Sequence, residues 1–377
     1  MAIVTALFGA VIIISVLWDG FETMVLPRRV TRRFRFARFF YRFTWSIWLK
    51  SVCLIFPERR RENYRSYFAP LSLLLLLSIW AVGLVTGFGL LYWAFDNAMR
   101  TQGEAAGFGT ALYMSGSTFF TLGYGDVTPI GGFARTLAVI ESGTGFGFLA
   151  VLIGHLPGLA QSFAKRETRI SLLDSRAGSP PTAFEIMRRQ SRGGLESIRE
   201  FLKDWEGWSA ELLESHLSYP VLAYYRSQHE NQSWIAALTA ILDASAFMMA
   251  GLEDGCYHQA ELTFAMARHA LVDLALIFKT SPRPFEQDRL SREDLLSLRE
   301  VLVESGLHLF EAGEIERRLE PLRQMYEPCL RSLSEYLYLA VPPWVPPAGR
   351  KDNWETSAWD DAKNSGLEKF RRMERHF

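Results

Sequence analysis

GFGTALYMSGSTFFTLGYGDVTPIGG, residues 107–132, is the stretch on which the fold turns. It lies between two apolar runs: Leu71–Phe95, which contains SLLLLLSIWAVGL, and Phe133 to about Leu159. Each run is long enough to cross a bilayer, which takes about 20 residues of helix. The stretch between them begins as a helix-compatible segment. It then places glycines at alternate positions within Thr121-Leu122-Gly123-Tyr124-Gly125-Asp126. Non-helical backbone at membrane depth is tolerated only where it lines a water-filled path or is buried in protein.

Working outward, a further apolar run, AIVTALFGAVIIISVLW (Ala2–Trp18), precedes a dense basic cluster. No basic residue comes before the run and no small-residue cleavage site follows it, so it reads as a retained anchor and not a secretory signal. Arg28–Arg65 carries 12 basic and 2 acidic residues, a net +10. The whole chain holds 41 of each sign, so the remainder is −10. Lys/Arg excess marks the cytoplasmic side of short loops. The N-terminus is therefore expected outside, the second span running outward, the third returning inward, and everything after about Gln161 in the cytoplasm. Phe39–Phe56, FFYRFTWSIWLKSVCLIF, is aromatic and interrupted by Arg42 and Lys50. It is too short and too charged to span. An amphipathic helix in the inner headgroup layer is the expectation, its arginines meeting anionic membrane lipid. Its place between two spans argues against nucleic acid as the partner.

The hexamer TLGYGD, with a helix-compatible segment before it and a span on either side, closely resembles the selectivity filter of potassium channels. The resemblance implies an all-α transmembrane pore-loop fold, with 108–120 as the pore helix. It also implies a homotetramer, since one loop cannot encircle an ion and closed cyclic symmetry supplies the ring. K+ would be the permeant ion, held at Thr121, Leu122, Gly123, Tyr124 and Gly125, with no organic cofactor. The chemistry has a physical reason. A potassium ion in a narrow pore sheds water, and neutral carbonyl dipoles bind and release it where carboxylates would hold on. Aiming successive carbonyls at one axis needs alternating right- and left-handed backbone, which glycine enters without steric cost. Thr121 adds a hydroxyl below the carbonyls. Tyr124 turns its ring away from the axis and packs behind the filter. The pore helix directs its C-terminal dipole, roughly half a negative charge, at the cavity. By the resemblance the filter runs from inner Thr to outer Asp, which agrees with the basic-cluster reading. Asp126 caps the outer mouth.

Two positions depart from the commonest pattern. Phe120 precedes the threonine where a small hydroxyl residue is usual, and Ser117 stands where some members have a carboxylate that pairs with the filter's Asp. Both belong to filter support, as does Glu141, which either braces the filter or faces a neighbouring subunit. Intramembrane ionisable groups are functional candidates by default. Arg135 sits near the outer boundary and snorkels, and His155 is an interfacial histidine near the inner mouth. Gly145, within Gly143-Thr144-Gly145-Phe146-Gly147, lies where the family often has a hinge glycine, and close packing of helices accounts for it equally well. These glycines and Pro157 interrupt the third span.

Beyond a break near Asp174–Thr182 the apolar residues recur every three or four positions. Leu195, Ile198, Phe201, Leu202, Trp205, Trp208, Leu212 and Leu213 make one such stripe, and others fall in 234–249, 262–278, 295–309 and 319–339. An all-helical cytoplasmic domain follows, large enough for its own core. The expected organisation is an anchor helix over 1–27, a basic interfacial segment over 28–66, and a pore domain over 67–160. A linker over 161–182, the helical domain over 183–340 and a proline-rich, then charged, loosely ordered tail over 341–377 complete it. No GxGxxG follows residue 160, which removes the nucleotide-binding domain common in prokaryotic potassium channels. No arginine-studded apolar helix suggests a voltage sensor. Cys53, Cys256 and Cys329 form neither a disulfide framework nor a CxxC site. Cys256, His258 and His269 match no ligand spacing, and no nucleophile–base set points to an enzyme. The regulatory ligand of the helical domain has no signature. The expectation is a passive K+ channel of the cell (inner or plasma) membrane, gated or regulated by that domain. The alternative is a membrane-anchored signalling or scaffold protein with a vestigial pore.

Overall fold

The computed structural model describes residues 1–26, 36–95, 98–101, 107–228, 231–253 and 257–346. Apart from one short two-stranded ribbon these are helical or irregular, as an all-α fold requires. The chain forms two compact units, one ending at Gln161 and the other starting at Ser162.

In the first unit α1 (Ala2–Gly20) runs into a π-helical turn at Phe21–Val25. It packs along α4 (Phe68–Ala94), the second apolar run. The crossing is close because it is lined by glycine: a Cβ on Gly9 would stand 2.7 Å from the Gly87 carbonyl oxygen. Small residues give helices in lipid this approach, where dispersion rather than water expulsion holds them together. Asp19, buried at the end of α1, ties three elements. One oxygen accepts from the Ala37 amide (3.3 Å) at the start of α2 (Phe36–Ile55), the other from the Trp80 indole (3.1 Å) on α4.

The expected amphipathic segment is α2. Ala37, Phe40, Trp45, Leu49 and Val52 form its buried face, while Phe39, Phe43 and Ile47 are exposed. Arg61, on α3 (Glu58–Ser66), donates to the carbonyls of Cys53 and Phe56 (3.1 Å each) and so closes the end of α2. The arginines at 28–35 lie outside the described residues.

Two expectations about the third span change. α6 (Gly131–Ala177) is one helix of 47 residues, unbroken by Gly143, Gly145, Gly147 or Pro157. An internal proline removes one hydrogen bond and each glycine costs about 1 kcal/mol relative to alanine, sums that a long, packed helix absorbs. Most of the expected linker at 161–182 is therefore helix. At about 1.5 Å per residue α6 is roughly 70 Å long, more than twice the hydrocarbon thickness. It ends at Gly178, whose φ is +78°, and Thr182 then caps α7 (Ala183–Gln190) by accepting from the Glu185 amide at 3.2 Å.

The second unit is built around α9 (Trp234–Gly251). By length and composition α9 would also cross a membrane, yet 94% of that window is buried in protein, against 17% for α1. It is enclosed by α7, α8 (Gly194–Ser218), α10 (Tyr257–Phe278) and α12 (Ala312–Gln324). It is a core helix. Its single acid, Asp243, is fully buried and accepts the Arg289 guanidinium fork on both oxygens (3.2 and 2.7 Å) and the Tyr326 hydroxyl. Arg289 also reaches Glu327 (3.0 Å), at the start of α13 (Glu327–Leu337), and the Pro342 carbonyl (3.0 Å). That last bond belongs to a further correction. The start of the tail is not loose: Trp344 is fully buried, and its carbonyl accepts from the Phe184 amide at 3.2 Å. The indole supplies the apolar area that docks this segment. Residues 347–377 lie outside the described residues.

A second buried cluster surrounds Arg166, which donates to the carbonyls of Leu222 (2.8 Å) and Tyr225 (2.9 Å) and pairs with Glu167. His216 faces it at 3.5 Å through Nε2 and donates from Nδ1 to the Leu212 carbonyl at 2.8 Å. Burial, and then the Arg166 charge, push the His216 imidazole down to about 3, so it is neutral at pH 7. Among the described residues no group of three or more His, Cys, Asp or Glu side chains is placed to hold a metal. His258 and His269 lie instead beside Glu261 (3.8 Å) and Asp273 (3.3 Å), and Cys256 is outside the described residues.

Candidate functional site

Between α4 and α6 the chain forms a ribbon and a re-entrant helix. β1 (Met99–Thr101) pairs antiparallel with β2 (Val127–Pro129), joining the end of α4 to the segment after Asp126. α5 (Phe108–Phe119) occupies the space between them and packs on α4. Met114 and Phe119 enter a core shared with Leu84, Phe88 and Leu137.

The end of α5 controls the backbone that follows. The Thr121 amide donates to the Thr118 carbonyl (3.1 Å) and the Leu122 amide to the Ser117 carbonyl (2.8 Å). The Gly123 amide donates to the Ser117 hydroxyl at 3.2 Å. Three successive N–H groups thus point at the helix end. Thr121, Gly123 and Gly125 have φ of +58°, +61° and +81°, while Leu122 and Tyr124 between them do not enter the left-handed region. Such alternation gathers amides on one side and leaves the carbonyls for the other. Among the described residues no donor reaches the carbonyls of 121–125, and all five residues are exposed. The glycines anticipate two of the three left-handed positions. Thr121 is the one missed, and its Cβ makes the conformation cost about 1–2 kcal/mol.

Ser117 therefore acts on the Gly123 amide. The residue set against Asp126 is Tyr113, whose hydroxyl hydrogen-bonds to that carboxylate. Phe120 is 59% exposed and meets Phe119 edge-on, the ring centroids 5.1 Å apart. The Tyr124 ring, expected to pack behind the loop, is 72% exposed among the described residues. Gly145 lies where α6 passes the end of α5: a Cβ there would fall 2.1 Å from the Phe119 carbonyl oxygen. Close packing is thus a sufficient reason for glycine at this position.

Glu141 is fully buried on α6, against α5. The Tyr92 hydroxyl of α4 donates to its Oε2 at 2.9 Å. Its Oε1 is hydrogen-bonded to the Ser115 hydroxyl of α5, which also reaches the Val85 carbonyl at 2.8 Å. Sequence reasoning found the acid and missed Tyr92 and Ser115, which stand 49 and 26 residues away. A lone tyrosine near the end of an apolar helix was the available signal. Arg135 is exposed in the first turns of α6, and His155 hydrogen-bonds to the Met24 carbonyl.

Residues 76–157, from within α4 through the loop and into α6, match the model of a family described as ion channel. A relative in Bacillus subtilis (strain 168), the uncharacterized membrane protein YdjJ, is 26% identical over 232 residues, covering 59% of this chain and 67% of that protein. No solved structure matches the chain. Two apolar helices, a re-entrant helix and an exposed loop of bare peptide oxygens are what a path for ions through a bilayer requires. Over residues 76–157 this membrane protein is similar to the ion channel family.

Proposed function

We propose that the chain is a potassium-selective channel that works as a homotetramer, K+ passing down its gradient through a filter made by Thr121, Leu122, Gly123, Tyr124 and Gly125 of four copies. The observation that carries the reading is the left-handed φ at alternate residues 121, 123 and 125. With the amides committed to the end of α5, the carbonyls are free to replace the water an ion sheds. Asp126 stands at the outer mouth, steered by Tyr113. Ser117 and Phe120 support the filter at its lower end, and Glu141 does so through α5. In the assembly, a neighbouring copy covers the Tyr124 ring, and Gly145 serves as the contact or hinge beside the pore helix. The N-terminus lies outside and the second unit in the cytoplasm of the cell membrane, where that unit regulates opening and α2 meets anionic lipid.

The test is potassium flux from liposomes holding the purified full-length chain. Flux that discriminates against sodium, and that is lost in Gly123→Ala, is expected, because a Cβ at φ +61° strains the loop by about 1–2 kcal/mol per subunit. Equal sodium and potassium permeability refutes selectivity. If no preparation conducts while the chain is folded and assembled, the scaffold reading replaces this one.

A further inference from the structure

The hydrogen bonds around Glu141 contain more contacts than the side chains' own hydroxyl protons can supply. Three contacts join four groups: Tyr92 to Glu141 Oε2, Glu141 Oε1 to Ser115, and Ser115 to the Val85 carbonyl. The two hydroxyls bring one proton each. The Tyr92 proton goes to Oε2. The Val85 carbonyl only accepts, so it and Glu141 Oε1 compete for the one Ser115 proton. One of those two contacts is then left as two oxygens with nothing between them, unless the carboxyl brings a proton of its own. Glu141 has no exposed surface, and among the described residues no lysine, arginine or histidine bonds to it. Tyr92 is the titratable group set against it from α4, and α5 contributes only the Ser115 hydroxyl. A carboxylate buried without a cation is costly, and such a group is held neutral.

We infer that Glu141 is a protonated carboxylic acid that donates to Ser115, the middle link of a directed chain Tyr92 to Glu141 to Ser115 to the Val85 carbonyl. Three protons then serve three bonds, and every oxygen has a role. The chain spans α4, α5 and α6, so it fixes the helix whose last turn receives the amides of Thr121, Leu122 and Gly123. Glu141 is a positioning residue: it touches no ion and acts through α5. This rests on the proposed function for its purpose, but the proton itself can be measured whether or not the protein conducts.

The experiment is infrared difference spectroscopy on the full-length assembly in lipid at pH 7, wild type against Glu141→Gln, with Ser115→Ala as a second comparison. A protonated-acid C=O stretch should be present in wild type, absent in E141Q, and displaced to higher frequency in S115A, where the acid loses its acceptor. Potassium flux should survive in E141Q, whose amide donates to Ser115 and accepts from Tyr92. It should fall about tenfold or more in Glu141→Ala, which orphans two buried hydroxyls. Absence of the acid band in wild type, or a band unmoved by S115A, overturns the inference. So does E141Q losing flux as fully as E141A while assembled. If wild type itself passes no potassium, the proposed function fails and the band alone decides the proton.

Discussion

Replacing Gly145 with alanine separates two roles that the sequence leaves equal. The added Cβ would stand 2.1 Å from the Phe119 carbonyl oxygen, 2.9 Å from its carbon and 3.2 Å from its Cα, all backbone. Relief needs roughly 1 Å of movement by α6 or by the end of α5, because no side chain there can rotate away. Overpacking of this kind costs about 1–3 kcal/mol. The displacement falls on the residue just before Phe120 and Thr121, so the filter amides lose register with Ser117 and Thr118. In heat-denaturation of the assembly in detergent, Gly145→Ala should lower the midpoint, and in liposomes it should reduce potassium selectivity. Gly143→Ala and Gly147→Ala are internal controls, since within the chain a Cβ at either meets nothing within 4 Å. If Gly145→Ala leaves midpoint and selectivity unchanged and alters only how often the pore opens, the packing argument is wrong and the hinge is right.

Ser117→Ala removes the acceptor of the Gly123 amide. Selectivity over sodium should decline, and Ser117→Thr should restore it; loss in both would show that the hydroxyl is not the cause. Arg289→Met strands the fully buried Asp243 carboxylate. It should cost the second unit about 3–5 kcal/mol, read by urea denaturation followed through tryptophan fluorescence. Below the ordinary histidine pKa of about 6.5 the unfolded chain takes up a proton that folded His216, held near 3, refuses. The stability His216 contributes is therefore complete above that value and lost as pH falls. Between pH 7.5 and 5 the second unit should lose about 2 kcal/mol, and His216→Gln should abolish this slope. An unchanged slope would remove His216 from the account.

What the sequence disclosed and what it hid follow one division. Alternating glycines, apolar runs of membrane length and three-or-four spacing are local signals, and they located the loop, α4, α6 and the helices of the second unit. Local signals misjudged continuity. Gly143, Gly145, Gly147 and Pro157 punctuate the sequence, yet α6 runs through all of them, because helix breakers lose to packing along a long element. The proline pairs after residue 341 suggested a loose tail, but Trp344 found a buried place that only the assembled helices create. Glu141 was visible as an acid in an apolar span, whereas Asp19 and Asp243 drew no reading at all. The partners of all three stayed hidden, since hydrogen bonds that close over 49, 61 and 46 residues leave no trace in spacing. Thr121 shows the same limit in the backbone: a β-branched residue at φ +58° is held there by the bonds of the next residues, not by its own preference.

The bare oxygens of residues 121–125 also bear on how a cell makes this protein. A freshly synthesised copy, alone in hydrocarbon, carries several peptide groups that neither lipid nor its own side chains satisfy, each worth several kcal/mol. If four copies assemble as proposed, solitude is penalised at the one place where they meet. On that proposal, membrane proteases would meet orphan copies in their least settled state, and yield should depend steeply on how quickly siblings made from one message find each other.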